Sequence, residues 1–159
     1  MKGQEIYLIL HNVRSAYNVG SIFRTADAAG INKTYVCGYT PTPGDKKVIK
    51  TSLGAEKSVP WEYHKQTWRL MEKLKAGGVQ IVALEQTKES IDYRKFKPRF
   101  PMALVVGNEI KGLSKRTLEY ANKIIAIPMF GKKESLNVSV ATGIAIYKIA
   151  EQKTASSAA

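Results

Sequence analysis

Three short stretches of this chain hold polar residues at spacings that suit chemistry. The first is Asn18-x-Gly20-x-x-x-Arg24, an amide and a guanidinium flanking a glycine. On a helix Gly20 and Arg24 stack four apart, and side chains lean toward the helix N-terminus. The Arg24 guanidinium would then lie back over Gly20, toward the strand-end loops where ligands gather in open α/β sheets. The plain alternative is that Gly20 admits a closely packed helix and Arg24 is a solvated charge. The second stretch is Gly107-Asn108-Glu109-x-x-Gly112, at the exit of an apolar run. Glycine there lets a ligand approach the backbone, and Glu109 can accept bonds from a ligand or from backbone amides. The third is Glu134-Ser135-Leu136-Asn137, before a long apolar helix. Ser135 and Asn137 offer a hydroxyl and an amide beside helix amides, and both are good N-cap types.

Several chemistries are excluded or disfavoured. The Gly-x-x-x-x-Gly spacing of Gly107 and Gly112 is followed by Leu113, where a phosphate-binding Walker loop needs lysine, and Gly-x-Gly-x-x-Gly is missing. Cys37 is the only cysteine, and His11 and His64 are the only histidines, so no metal site is expected. Cys37 sits in an apolar run and reads as a small core residue. With no acidic metal cluster and no Walker lysine, a nucleotide-phosphate enzyme is disfavoured.

The elements that must position these residues follow from the apolar pattern. Buried strands are expected at Ile6 to Leu10, Thr34 to Gly38, Val79 to Leu84, Met102 to Val106 and Ile124 to Ile127, with an extended piece from Val59 to Tyr63. Helical spacing of Val19, Ile22, Phe23, Ala26 and Ala29 ends at Gly30, a C-cap type. Asp45 to Leu53 suits a short basic helix, Thr67 can cap a helix to Ala76, and Ser114 opens one to about Asn122. The strands are continuous apolar runs alternating with helices. This predicts an α/β fold with a mostly parallel sheet and helices on both faces. The last helix is apolar nearly all round, including Val138, Val140, Ile144, Tyr147 and Ile149, so a second chain is expected on one face. Residues 1–152 read as a single domain and 153–159 as a disordered tail.

In bulk, 159 residues with 44% hydrophobic and 24% charged content describe one soluble domain. Lys and Arg number 25 against 13 acids, a formal charge of +12, which favours nucleic acid as partner. No stretch has the length of a membrane span, the apolar run near the N-terminus is too short for a signal peptide, and a reduced, cytoplasmic setting is expected. The basic segment from Lys88 to Phe100 interleaves Tyr93 and Phe96, which either stack RNA bases or anchor the connection to the core.

Taken in order, Asn18-x-Gly20-x-x-x-Arg24, Gly107-Asn108-Glu109-x-x-Gly112, and Ile127-Pro128-Met129 followed by Glu134-Ser135-Leu136-Asn137-Val138-Ser139 resemble the three motifs of SpoU-type (TrmH-like) RNA ribose 2′-O-methyltransferases of the SPOUT class. The resemblance runs from about Ile6 to Ile149. It implies a C-terminal deep trefoil knot, an exception to the usual absence of knots. It also implies a homodimer and S-adenosylmethionine as methyl donor, held by Leu84, Gly107, Ile127, Ser135 and Leu136. Arg24 matches the family's catalytic arginine, and Asn18, Glu109, Ser135 and Asn137 match its supporting positions. The implied activity is methyl transfer to a ribose 2′-OH of structured RNA, tRNA in first place. The alternatives are rRNA as substrate, or a non-catalytic RNA-binding protein that kept the fold.

Overall fold

The computed structural model describes residues 3–158, with side chains through residue 153. Seven strands alternate with helices: β1 (Ile6–His11), α1 (Ala16–Ala29), β2 (Lys33–Cys37), α2 (Lys46–Ser52), α3 (Ala55–Ser58), β3 (Trp61–His64), α4 (Thr67–Ala76), β4 (Gln80–Leu84), β5 (Ile91–Asp92), β6 (Met102–Val106), α5 (Lys115–Glu119), β7 (Lys123–Ala126) and α6 (Val138–Ala158). They form one sheet in the order β3-β2-β1-β6-β4-β7-β5. Every strand pair is parallel.

The sheet is parallel because its central strands are apolar on both faces, and both faces are covered. Ile6, Leu8 and Leu10 of β1, with Met102, Leu104 and Val106 of β6, face Val19, Ile22, Phe23 and Ala26 of α1 and Ala145, Ile146 and Ile149 of α6. The alternate residues Ile9, Ala103, Val105, Ile81 and Ala83 face Leu70 and Met71 of α4. The period-two alternation of a strand divides the core into two layers.

Local sequence accounts for the helix ends. The Ser15 side chain caps α1 by accepting the Asn18 amide. Gly30 closes it at φ 74°, a left-handed conformation that suits glycine. Asp45 and Ser114 cap α2 and α5 through their side chains. Asn137 caps α6: its Oδ1 accepts from the amides of Ser139 at 2.9 Å and Val140 at 3.3 Å.

The structure differs from expectation at several points. Thr67 does not cap α4. It is the first helical residue, after Gln66, and its hydroxyl pairs with His11 Nδ1 at 2.6 Å. Helix α3 and the two-residue edge strand β5 were not foreseen, being too short for a periodic signal. The segment holding β5 is tied down by its aromatics: Phe96 is buried, and Tyr93 and Phe100 pack on the core. Anchoring, not base stacking, explains them. Helix α6 continues through the residues expected as a tail as far as Ala158, and Ala159 lies outside the described residues.

Gly20 also differs from the first expectation. It is buried, and a Cβ there would run into the Val48 carbonyl and Thr51 Oγ1 of α2 rather than leave room for Arg24. The glycine is needed because α2 crosses α1 backbone to backbone. Ala at an unconstrained helix position stabilises by about 1 kcal/mol over Gly, whereas overpacking costs about 1–3 kcal/mol. Gly20→Ala is therefore expected to destabilise in urea unfolding, and a stabilised variant would contradict the close crossing.

Candidate active site

The register places the carboxyl ends of the central strands level. Leu10 pairs with Val106, Ala83 with Val105, and Leu84 with Ile125. The loops after β4, β6 and β7 therefore leave the sheet side by side. Together with the start of α6 they enclose a cavity lined by Leu84, Gly107, Ile127, Ser135, Leu136 and Glu109, among others. Its walls combine apolar side chains such as Leu84, Val106 and Met129 with polar ones, the carboxylates of Glu85 and Glu109 among them.

Glu109 ties the β6 loop to the start of α1. Its Oε1 accepts the Arg14 amide at 2.8 Å. Its Oε2 accepts the Ser15 amide at 2.8 Å and the Asn18 side-chain amide at 3.1 Å. Asn18 in turn accepts from the Asn137 side-chain amide at 3.2 Å. One polar line thus runs from the β6 loop, through the first turn of α1, to the cap of α6. Burial works to raise the Glu109 pKa, but the amides of Arg14 and Ser15 and the Asn18 side chain outweigh it and hold the carboxyl below its ordinary value.

Neighbouring residues fix the same loops. Asn108 donates through Nδ2 to the Asn12 carbonyl at 3.0 Å and to Tyr39 Oη at 2.9 Å, and accepts the Ile110 and Lys111 amides at 2.9 and 2.8 Å. Glu85 accepts the Leu113 amide at 2.8 Å, and Gln86 Nε2 donates to the Ile127 carbonyl at 3.2 Å. Glu85 and Gln86 were not singled out from sequence. Their signal is two polar side chains directly after a buried strand. Gly107 lines the cavity, and the fold adds a steric reason for glycine there. Its loop folds back on it, and a Cβ would meet the Gly112 carbonyl and Leu113 Cδ2 at 2.7 Å each.

The structure brings together Asn18, Glu109 and Asn137 by direct bonds, and Leu84, Gly107, Glu109, Ile127, Ser135 and Leu136 around the cavity. Ser135 lines the cavity and does not cap α6. Arg24 is exposed on α1 and outside the cavity lining; among the described residues its side chain has no hydrogen bond or ion pair. Cys37 is buried, and burial pushes its thiol up to about 12 against a lowering bond from Thr67. Its burial is that of a core residue. Among the described residues no group of three or more His, Cys, Asp or Glu could hold a metal. No described helix is long and apolar enough to cross a membrane.

Glu109→Gln removes the charge and one acceptor. Hydrogen bonds to charged groups contribute about 1.5–3 kcal/mol when buried, so at this half-buried position a loss of about 1–2 kcal/mol is expected. Because the folded pKa is depressed, this difference is complete above the ordinary value of 4.5 and fades as pH falls through the lower folded value. Paired urea titrations of both proteins between pH 3 and 7 check it. A stability gap that persists unchanged at pH 3 would contradict the assigned role.

The comparisons with known proteins agree with this geometry. The model of the SpoU rRNA Methylase family matches residues 5–147. The chain is 37% identical over 153 residues to the tRNA (guanosine(18)-2′-O)-methyltransferase of Aquifex aeolicus (strain VF5), covering 94% of this chain and 71% of that enzyme. It is 36% identical over 149 residues to the 23S rRNA (guanosine-2′-O-)-methyltransferase RlmB of Salmonella typhi, covering 92% of this chain and 60% of that protein. The crystal structure of the SpoU methyltransferase AviRb from Streptomyces viridochromogenes, in complex with the cofactor AdoMet, superposes with a TM-score of 0.89 at 26% identity, over 98% of this chain and 63% of that one. The chain thus spans less than two thirds of the length of the latter two. With the family model matched along most of its length, the chain belongs to the SpoU methylase family.

Proposed function

We propose that this chain transfers a methyl group from S-adenosylmethionine to a ribose 2′-OH of structured RNA, tRNA in first place. The observation that carries the reading is the cavity at the strand ends, where Leu84, Gly107, Ile127, Ser135 and Leu136 meet beside Glu109. These are the residues that would hold the cofactor. The site suits it: apolar walls accept an adenine, backbone groups accept and donate at its edge, and carboxylates complement a sulfonium and an ammonium. Bound there, S-adenosylmethionine supplies an already activated methyl group.

The protein's own part is then mainly positioning. Glu109 holds the first turn of α1 against the cavity, and the amides of Asn18 and Asn137 present donors and acceptors where a ribose would enter. Ser135 places a hydroxyl on the cavity wall. Arg24 is the catalytic residue of this reading. A guanidinium carries no acceptor and does not serve as a base. Its exposed fork instead holds an RNA phosphate and stabilises the charge that develops on the 2′-oxygen as the proton leaves to solvent. A place outside the cavity lining suits a contact to RNA better than one to the cofactor.

The final segment is read as a trefoil knot, which family membership supports. The functional unit is read as a cytoplasmic homodimer. On α6, Val140 and Tyr147 are each about half exposed, at 50% and 51%, and seven residues apart they share one face. An apolar helix face left in water favours a covering partner.

Arg24→Lys keeps the charge and loses the fork. It is expected to lower methyl transfer about a hundredfold, in line with loss of one positioned donor, while calorimetry finds S-adenosylmethionine affinity unchanged. Near wild-type transfer would overturn the role given to the fork, and a wild-type protein that does not bind S-adenosylmethionine would overturn the function. Light scattering at micromolar concentration is expected to give twice the 17.6 kDa chain mass; a monomer would contradict the dimer.

A further inference from the structure

A second cavity, of about 250 Å³, opens at the same edge of the sheet, beyond the ends of β1 and β2. His11, Asn12, Lys65, Trp68, Ser114 and Arg116 line it, and no carboxylate does among the described residues. Nothing derived for methyl transfer uses it. Its chemistry is one-sided. Lys65 and Arg116 are exposed cations with no ion pair among the described residues. The Arg116 guanidinium rests on the Trp68 indole, 4.3 Å from the ring centroid. The first turn of α4, which forms one wall, has no side-chain cap and no acidic residue. Burial lowers the His11 pKa and keeps its ring neutral at neutral pH, so the cavity's charge comes from the lysine and arginine.

An aromatic face beside two unpaired cations is the pairing that single-stranded nucleic acid rewards, with the base on the ring and the phosphate on the charges. The position is also informative. Asn12 belongs to this cavity's wall, and its carbonyl accepts from the side chain of Asn108, which lines the first cavity. Asn12 adopts φ 53°, an uncommon backbone for a residue other than glycine. Its Oδ1 accepts the Tyr39 amide at 3.1 Å. The two cavities therefore share a rigid partition of Asn12 and Asn108.

We propose that this cavity takes a nucleotide of the RNA strand that flanks the methylated one, its base on Trp68 and its phosphate on Lys65 and Arg116. The inference rests on the RNA methyltransferase reading and adds the place where the strand is gripped. Turning the exposed Arg116 fork from the indole to a phosphate vacates the place of closest approach on the ring, which Arg69, 5.2 Å from the centroid, and Tyr120, with ring centroids 5.9 Å apart, continue to flank.

The chain has two tryptophans, so in a Trp61→Phe background Trp68 alone reports. Addition of unstructured oligoribonucleotide is expected to quench its fluorescence. Lys65→Ser with Arg116→Ser, both at exposed positions, is expected to weaken oligonucleotide binding about tenfold or more. The slope of log affinity against log salt should shrink by roughly 0.7–1.4, for one or two single-strand phosphates. The S-adenosylmethionine affinity should stay as in the wild type. Lys65→Arg with Arg116→Lys should recover most of the binding. Unchanged RNA affinity and salt slope in the double serine variant would overturn the proposal, as would quenching by a free nucleoside monophosphate with none by RNA. A wild-type protein that binds RNA through this cavity but not S-adenosylmethionine would defeat the methyltransferase reading alone.

Discussion

The carboxylate of Glu109, bonded to the amides of Arg14 and Ser15, is the constraint on which the site depends. It joins two loops that are 94 to 95 residues apart in sequence. They meet only because β6 inserts beside β1, with Leu10 level with Val106. That insertion requires both strands to be apolar on both faces, which is how the sequence of each is written. Charge-assisted bonds to backbone amides are among the stronger polar interactions. Here they are spent on ordering a helix start rather than on stability alone. The same side chain orients Asn18, and through it Asn137 at the far loop.

The fold was legible where burial writes a continuous signal. Ile6 to Leu10 and Met102 to Val106 announce buried parallel strands, and Gly30 and Ser114 announce helix ends, because the deciding interactions are local. Residue type and spacing singled out Gly107, Glu109 and Ser135 of the first cavity, and the family motifs added Leu84, Ile127 and Leu136. What stayed hidden depends on partners distant in sequence. Gly20 reads equally well as room for Arg24 or as a helix crossing, and only the placement of α2 decides. Glu85 and Gln86 look like ordinary loop residues until Leu113 and Ile127 are brought against them. Phe96 sits among basic residues, a pattern shared by an RNA-stacking loop and by an anchored edge. Thr67 has the chemistry of a cap, but His11 claims its hydroxyl.

The arrangement separates tasks along one edge of the sheet. Around the first cavity, apolar walls and carboxylates suit a small cationic cofactor. Beyond the Asn12 and Asn108 partition, cations and an indole suit a polyanion. The overall charge of +12 then has a local meaning, since positive side chains stand unpaired beside the second cavity while the first holds its acids. Rigid loops at parallel strand ends allow such division, because each loop is anchored by its strand and adjusted by a few side-chain bonds.

The central claim is that this edge of the sheet methylates ribose in RNA. The most direct test is nucleotide-resolution mapping of 2′-O-methyl groups in total RNA incubated with the protein and S-adenosylmethionine, against RNA incubated without the protein. The account predicts new 2′-O-methyl groups at defined positions of structured RNA, in tRNA first. Methyl groups placed only on bases, or no new methylation by a protein that binds both S-adenosylmethionine and RNA, would contradict it.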